Sequence, residues 1–555
     1  MHSTRRLLRA SQTCRQSFRH VQRPSTSVVH RAYATEASQK RKQDDTHATT
    51  QTSTDPSDGT KTDKQIKFTA DSYPEVTRSS KFKKLEKSDI EYFRSILPAN
   101  AVLLDDDAEA FNIDWMRKFR GQSKIVLKPK SSEDVSKILK YCNDNTLAVV
   151  PQSGNTGLVG GSTPVFDEVI LSMTAMNQIR SFDKVSGTLV ADAGCILEVV
   201  DNYLAERNHI FPLDLGAKGS CLIGGTAATA AGGLRLLRYG SLHGNILGLE
   251  VVLADGTILN NLSTLRKDNT GFDLKQLFIG SEGTIGVITA MSILCPQRSP
   301  AVNVAFFGLE NYDNILKAFI KAKEHLSEIL SAFEFMDGKT QDFVKRHSDH
   351  KRPIEGDYPF YVLVETSGSN KEHDEEKLNG FFEDLLESGI VADGAVAQDT
   401  TQQRALWSLR EGITECLGKE GGTYKYDMSA PLPVLYELVN VTRERLDKAG
   451  LLGEGKPVVD VVGYGHLGDG NIHLNVPVRH YDKAVEKCIE PFVYEWIKSH
   501  NGSISAEHGL GLSKGKYIGY SKSPELVAVM KKIKDMFDPK GIMSPYKYLP
   551  PAETS

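Results

Sequence analysis

The chain has 555 residues, 40% of them hydrophobic and 25% charged, with 67 Lys and Arg against 71 Asp and Glu for a formal net charge of −4. Those values belong to an ordinary globular protein of several domains, and no run approaches the ~18 consecutive apolar residues that a membrane-spanning helix needs. Seven scattered cysteines without a C-x-x-C pair exclude a disulfide framework and a thiolate zinc site.

The first 33 residues hold seven Arg, several Ser and neither Lys, Asp nor Glu. That is the composition of a mitochondrial transit peptide, cleaved after Tyr33, and it implies the matrix as destination. Removing it takes the net charge to −11. So acidic a chain has no sequence-independent attraction to a phosphate backbone, which excludes nucleic acid as a partner. Residues 34–75 are polar and poor in apolar side chains, so a disordered lead-in is expected there.

Order is expected to begin near the amphipathic stretch SDIEYFRSIL (88–97). Then KIVLKP reads as a strand and SSEDVSKILKYCNDN as a helix capped by Ser131 or Ser132. LAVVPQ and EVILSM read as strands joined by SGNTGLVGG and its continuation. From about residue 300 strands and helices alternate: AVNVAFFGL, YDNILKAFIKAKEHL, SAFEFMDG, PFYVLVETSG, KLNGFFEDLLESG and ALWSLREGITECLG. A mixed sheet flanked by helices is the expectation for this second region.

The glycine loop 153–161 leads into a strand, which excludes a dinucleotide fingerprint, since that loop must open a helix. No P-loop motif is present. A strand–loop–strand unit can still hold phosphate on successive exposed N–H groups. The small-residue segment 223–233 and the glycines of LFIGSEGTIGVIT (277–289) invite close backbone approach to a flat group or to a neighbouring element.

PQSGNTGLVGGS, LDLGAKGSCLIGG, AAGGLRLLRYGSLHGNILGLEVVLADGT, RKDNTGFDLKQLFIGSEGTIGVIT and DPKGIMSPYK together resemble the FAD-binding oxidoreductases of the vanillyl-alcohol-oxidase type. More narrowly, they resemble the D-2-hydroxyglutarate dehydrogenase family, relatives of the flavin-linked D-lactate dehydrogenases. The resemblance runs from about residue 85 to 550. It implies an α+β chain with an FAD domain over 76–298, a substrate and metal domain over 299–535, and a segment 536–555 that returns to the FAD domain. The implied cofactor contacts are Pro151, Ser153, Gly154, Asn155, Thr156, Gly157, Gly160, Gly161, Ser162, Gly219, Ser220, Gly224, Gly225, Gly232, Gly233, Glu282, Gly283 and Ile288. Thr226 and Ala230 stand where the family usually has Asn, and Ser544 replaces the Asn of its C-terminal motif. Asn155 occupies about the place where covalent members carry His, so non-covalent FAD is expected.

His466 and His473 flank a glycine corner that can fold them together, and Asn475 shares a strand face with His473. Glu507 and His508 follow as neighbours. Two imidazoles and a carboxylate suit Zn²⁺ or another divalent ion. Asp469 competes on spacing, and the resemblance assigns the metal to His466, His473 and Glu507. It also maps substrate groups onto Arg410, Thr414, Lys425, Asn475 and His508. Arg410 and Thr414, four apart, are expected on one helical face. Two cations and a metal suit a dianionic 2-hydroxy acid, with His508 as general base and either cation at the distal carboxylate.

The activity implied is oxidation of D-2-hydroxyglutarate to 2-oxoglutarate, with electrons passing to an electron-transfer flavoprotein or to pyruvate. D-lactate oxidation and transhydrogenation on the same scaffold are the alternatives. From other classes come a metal-dependent hydrolase and a non-catalytic mitochondrial protein. A homodimer is compatible with the sequence.

Overall fold

The computed structural model describes residues 66–550. The expected transit peptide and most of the lead-in lie outside these residues. The lead-in was expected to stay unstructured to residue 75, but residues 66–75 are structured, with a helical turn at Thr69–Ser72. Thr69 donates its N–H to the Arg120 carbonyl and accepts the Arg120 N–H on Oγ1, both at 2.8 Å, and Tyr73 stacks on Phe119. A few long-range partners outweigh the polar composition.

The first region has two sheets. Strands β1 (Val102–Leu104), β2 (Ile125–Leu127), β3 (Val149–Gln152) and β4 (Val169–Ser172) form one in the order β1-β2-β4-β3, with the β2–β4 and β3–β4 pairs parallel. The helix Ser132–Asp144 links β2 to β3, with the Ser131 hydroxyl accepting the Asp134 N–H as its cap. It buries Val135, Ile138, Leu139 and Cys142 in the core of that sheet. Strands β5 (Ile179–Asp183), β6 (Thr188–Asp192), β7 (Ile246–Val252), β8 (Ile258–Asn261) and β9 (Val287–Leu294) form an antiparallel sheet in the order β5-β6-β9-β7-β8.

The second region is one seven-stranded sheet of β10 (Ala301–Leu309), β11 (Leu330–Asp337), β12 (Phe360–Gly368), β13 (Asp393–Val396), β14 (Gly422–Ser429), β15 (Val462–His466) and β16 (Asn471–Val478). Its order is β13-β10-β12-β11-β15-β16-β14, and every pairing is antiparallel rather than mixed. One face, with Phe333, Phe335, Leu474 and Val476, packs on the helices Tyr312–His325, Lys371–Glu387 and Glu437–Lys448. The other, with Phe306, Met336, Leu363 and Tyr464, packs on Gly338–His347, Thr400–Glu411 and Ile413–Gly418. At ~25 cal/mol per Å² of apolar surface, burying large side chains on both faces is the main force that fixes register.

The chain returns to the first region earlier than residue 536. In the helix Pro524–Phe537, Ile533 and Phe537 pack on the core of the five-stranded sheet, and the Phe537 ring meets Phe278 edge-on. Beyond it, Ser544 donates its N–H to the Val149 carbonyl at 2.8 Å, with Ile542 and Met543 fully buried.

Candidate active site

The glycine loop leaves β3 through Ser153. Among the described residues, no backbone N–H from Gly154 through Ser162 donates a hydrogen bond. A loop with so many unspent donors is a cradle for an anion. Asn155 holds it open from inside. Its backbone is left-handed (φ 53°), which Asn tolerates, its amide donates to the Ile113 carbonyl at 2.8 Å, and its carbonyl accepts the Ser162 hydroxyl at 2.7 Å. Ser153, Gly154 and Asn155 line a cavity of about 500 Å³, faced by Gly219, Ser220, Cys195 and Ile196.

Two glycines here are required by close approach. A Cβ on Gly154 would lie 2.2 Å from the Ser220 carbonyl oxygen, and one on Gly224 would lie 2.4 Å from Ala193 Cβ. Gly225, in the helix Ile223–Ala228 with Gly224, abuts Ser153. Gly157 has open space around it, while Thr156 contributes one of the unspent N–H groups. Pro151 packs on Gly283, Gly160 on the Phe119 ring, and Gly233 on the Asp214 carbonyl. Ile288 belongs to the core of the five-stranded sheet. The Glu282 carboxylate accepts the N–H groups of Leu510 (2.7 Å) and Gly511 (2.8 Å), so it ties the two regions together. Lys547, buried, donates its ammonium to the Gly161 and Thr163 carbonyls. These features fit a flat, phosphate-bearing cofactor.

The second cluster is written in the register of the large sheet. His466 pairs with Glu334, Tyr464 with His473, His473 with Asp427, and Asn475 with Lys425. Alternation by two places His466, Tyr464, His473, Asn475, Lys425, Asp427 and Glu334 on one face. Arg410 and Thr414 come to it from two short helices that meet at Gly412, not from one continuous helix as expected. Tyr464 gathers both. Its hydroxyl is 2.7 Å from Thr414 Oγ1, and the Arg410 guanidinium lies 4.6 Å from its ring centroid.

Glu507 and His508 approach from a loop held by Asp427, whose Oδ2 accepts both their backbone N–H groups at 2.9 Å. Ligand-capable atoms of Asp427, His473, Glu507 and His508 all lie within 4.8 Å of one another. Asp427 is the least available of the four, because Asn471 also donates to its Oδ1. His473 Nε2 and His508 Nε2 are each 3.9 Å from Glu507 Oε1. Donors that share one zinc at about 2.0–2.2 Å stand about 3–4 Å apart. The His466 ring is 5.4 Å from that of His473, and its Nδ1 is 2.9 Å from Glu334 Oε1, so Nε2 is the nitrogen left for a cation. The donors of Asp427, His473, Glu507 and His508 therefore suit a divalent metal, and that cluster forms without His466, which the sequence had put among the ligands. A Cβ on Gly232 would come within 3.0 Å of Glu507 Oε2, so the small-residue segment of the first region runs directly against this cluster.

Electrostatics agree with that arrangement. Burial, with the Asp427 charge beside it, pushes the Glu507 carboxyl up to about 7. Burial pulls the His473 and His508 imidazoles down, His473 further under the His466 charge. Burial alone pulls the Lys425 ammonium down, and the Lys425 side chain has no hydrogen bond or ion pair among the described residues. Burial would raise Asp427, yet the charges of His508 and Lys514 hold it below the usual carboxylate range.

Glu334, Asp427 and Tyr464 were missed from the sequence. A lone acid between Phe333 and Phe335, and an acid two residues beyond Lys425, were the available signals.

Residues 123–261 match a family model described as an FAD binding domain, and 298–548 match the C-terminal domain of FAD linked oxidases. The solved structure of p-cresol methylhydroxylase aligns with a TM-score of 0.65 over 83% of this chain and 96% of its own, at 16% identity. Domain content thus defines an FAD-dependent oxidoreductase, and its fold is that of the vanillyl-alcohol-oxidase type. Among curated relatives, a Schizosaccharomyces pombe protein with the provisional name mitochondrial D-lactate dehydrogenase is 60% identical (87% of this chain, 94% of that one). The Saccharomyces cerevisiae D-2-hydroxyglutarate–pyruvate transhydrogenase is 52% identical (87% and 98%), and the Danio rerio mitochondrial D-2-hydroxyglutarate dehydrogenase 55% (84% and 86%). Within its class, the chain belongs to the D-2-hydroxyglutarate dehydrogenase family.

Proposed function

We propose that this enzyme oxidises D-2-hydroxyglutarate to 2-oxoglutarate in the mitochondrial matrix, with non-covalent FAD in the glycine-loop cavity and a divalent metal, zinc by donor chemistry, on His466, His473 and Glu507. The observation that carries the substrate is the pair of cations beside the cluster. Arg410 is buried and gives Nε to Glu334 at 3.0 Å, with Nη2 2.9 Å from the same oxygen, so Nη1 is the nitrogen that faces a further anion. Lys425 has no counter-ion at all among the described residues. A half-buried ammonium without a partner is costly, and a carboxylate offsets that cost.

When bound, FAD supplies the acceptor for the C2 hydride and the metal supplies Lewis acidity at the hydroxyl oxygen. The residues do the rest. His508, kept neutral by burial, accepts the hydroxyl proton, and Asp427, 3.7 Å from its Nδ1, steadies the resulting imidazolium. Arg410 and Thr414, gathered on Tyr464, serve the C1 carboxylate beside the metal ligands. Lys425 and Asn475, paired across the outer strands, serve the distal one. Lys425 takes the distal end because Glu334 already balances part of the Arg410 charge.

A steady-state screen of D-2-hydroxy acids with an artificial acceptor tests this. D-2-hydroxyglutarate should give the highest kcat/KM, and a preference for D-lactate would end the dicarboxylate reading. The name of the Saccharomyces relative makes pyruvate the first acceptor to try in place of the dye.

A further inference from the structure

The geometry points to Glu334 as a positioning residue that couples the metal site to anion recognition, an inference that rests on the metal and substrate reading above. Glu334 is 2% exposed, and its carboxylate touches both sites. His466 Nδ1 lies 2.9 Å from Oε1 and 2.8 Å from Oε2, and Oε2 also accepts from Arg410 Nε at 3.0 Å. It is the direct cross-strand partner of His466, from β11 to β15, so the contact is set by register and not by a mobile loop.

Each half of this bridge has a defined consequence. A carboxylate on the remote nitrogen of a ligating imidazole fixes the tautomer and ring plane and raises ligand basicity. A carboxylate on Nε of an arginine fixes the plane of the guanidinium; here Nη2 also lies 2.9 Å from Glu334 Oε2, which leaves Nη1 for an incoming carboxylate. One buried charge therefore orients a metal ligand and a substrate cation at once. Because one carboxylate serves both neighbours, metal binding and anion binding are linked through it. Linkage is reciprocal for binding free energies: metal should tighten 2-hydroxy acid binding, and the acid should tighten metal binding by the same factor.

The test uses the FAD-loaded enzyme and Zn²⁺ in competition with a chelator, with and without a saturating 2-hydroxy dicarboxylate. Glu334→Gln keeps the volume and removes the charge. Expected are a retained flavin spectrum, a metal dissociation constant raised about 10–100-fold, and, at saturating metal, a KM that rises more than kcat falls. The tightening of metal by the acid should shrink towards one. If Glu334→Gln fails to bind FAD, Glu334→Asp serves instead. It keeps the charge but withdraws it by one methylene, so it should weaken both functions by less. Metal affinity and KM within twofold of wild type would overturn the proposal, as would weakened metal binding with KM and coupling intact. His466→Ala run alongside separates the two levels: if it binds Zn²⁺ as tightly as wild type, the metal reading itself has failed, whatever Glu334 does.

Discussion

The two regions build their sites from opposite materials. In the first, the site is backbone: a loop of unspent N–H groups, with glycines such as Gly154 and Gly224 where a Cβ would collide with a neighbouring chain segment. In the second, it is side chains: imidazoles, carboxylates and cations presented by β11, β14, β15 and β16 and by three loops or short helices. A backbone site is broken by added atoms at its close contacts, and it has no ionisable side chain of its own to lose. A side-chain site depends on single functional groups and little on the space around its main chain. Mutations that separate those two sensitivities are the sharpest probes of the comparison.

The largest effect belongs to the metal ligands. His473→Ala should lose bound metal and turnover together and keep the flavin spectrum, because the first region supplies no group to the ligand set. Metal content by atomic absorption beside visible absorbance reads both. Loss of flavin as well would break the division between the regions.

His508→Ala should lower kcat by about 10²–10⁴-fold, the range for a positioned acid–base group, with metal and FAD content unchanged. Metal loss in this variant would make His508 a ligand and leave Glu507 in question.

Lys425→Met removes one charge-assisted hydrogen bond, about 1.5–3 kcal/mol or 10–150-fold in kcat/KM, on D-2-hydroxyglutarate but not on D-lactate. Equal losses on both substrates would show that Lys425 does not read the second carboxylate. The same residue gives a pH signature. Burial lowers its pKa from the usual 10.5, so its positive charge is lost as pH rises, before a free lysine would lose its own. The kcat/KM for D-2-hydroxyglutarate should therefore decline on the alkaline side below 10.5, and Lys425→Arg should abolish that decline.

The difference in material also explains what could be read from the sequence. Glycine clusters are contiguous, so the loop at 153–161 and the small segment at 223–233 are visible as motifs, and the Ser131 cap follows from local spacing. The side-chain site is scattered from residue 334 to 508 and converges only through strand register. His466 and His473 stood out because imidazoles beside glycine corners are uncommon, and Glu507 through its place beside His508 and the family resemblance. Glu334 and Asp427 did not, since one acid in a strand looks like a solvated face until its neighbours are known. The break at Gly412 was hidden because helical spacing continues through it: the Gly412 N–H still reaches the Ser408 carbonyl, and the Cys416 N–H reaches that of Gly412.

The smallest effects test the backbone site with a matched pair. A Cβ on Gly154 would sit 2.2 Å from the Ser220 carbonyl oxygen and 2.9 Å from Cys221 Cα, both main-chain atoms that cannot rotate away. Gly154→Ala must push the loop from the 217–222 turn, an overpacking cost of about 1–3 kcal/mol. It should appear as lowered thermal stability and weakened FAD, with Zn²⁺ affinity unchanged. Gly157 has no atom within 4 Å of its Cβ position and φ in the ordinary range, so Gly157→Ala should alter the stability of the FAD-free protein by no more than about 0.5 kcal/mol. If the loop faces the cofactor, the added methyl group occupies space the cofactor needs, and FAD should bind more weakly although the protein itself is undisturbed. Thermal melts of the FAD-free variants, beside FAD titrations, separate the two costs. A Gly157→Ala protein that binds FAD as tightly as wild type would mean that this end of the loop does not touch the cofactor. The cradle would then be confined to Gly154–Thr156.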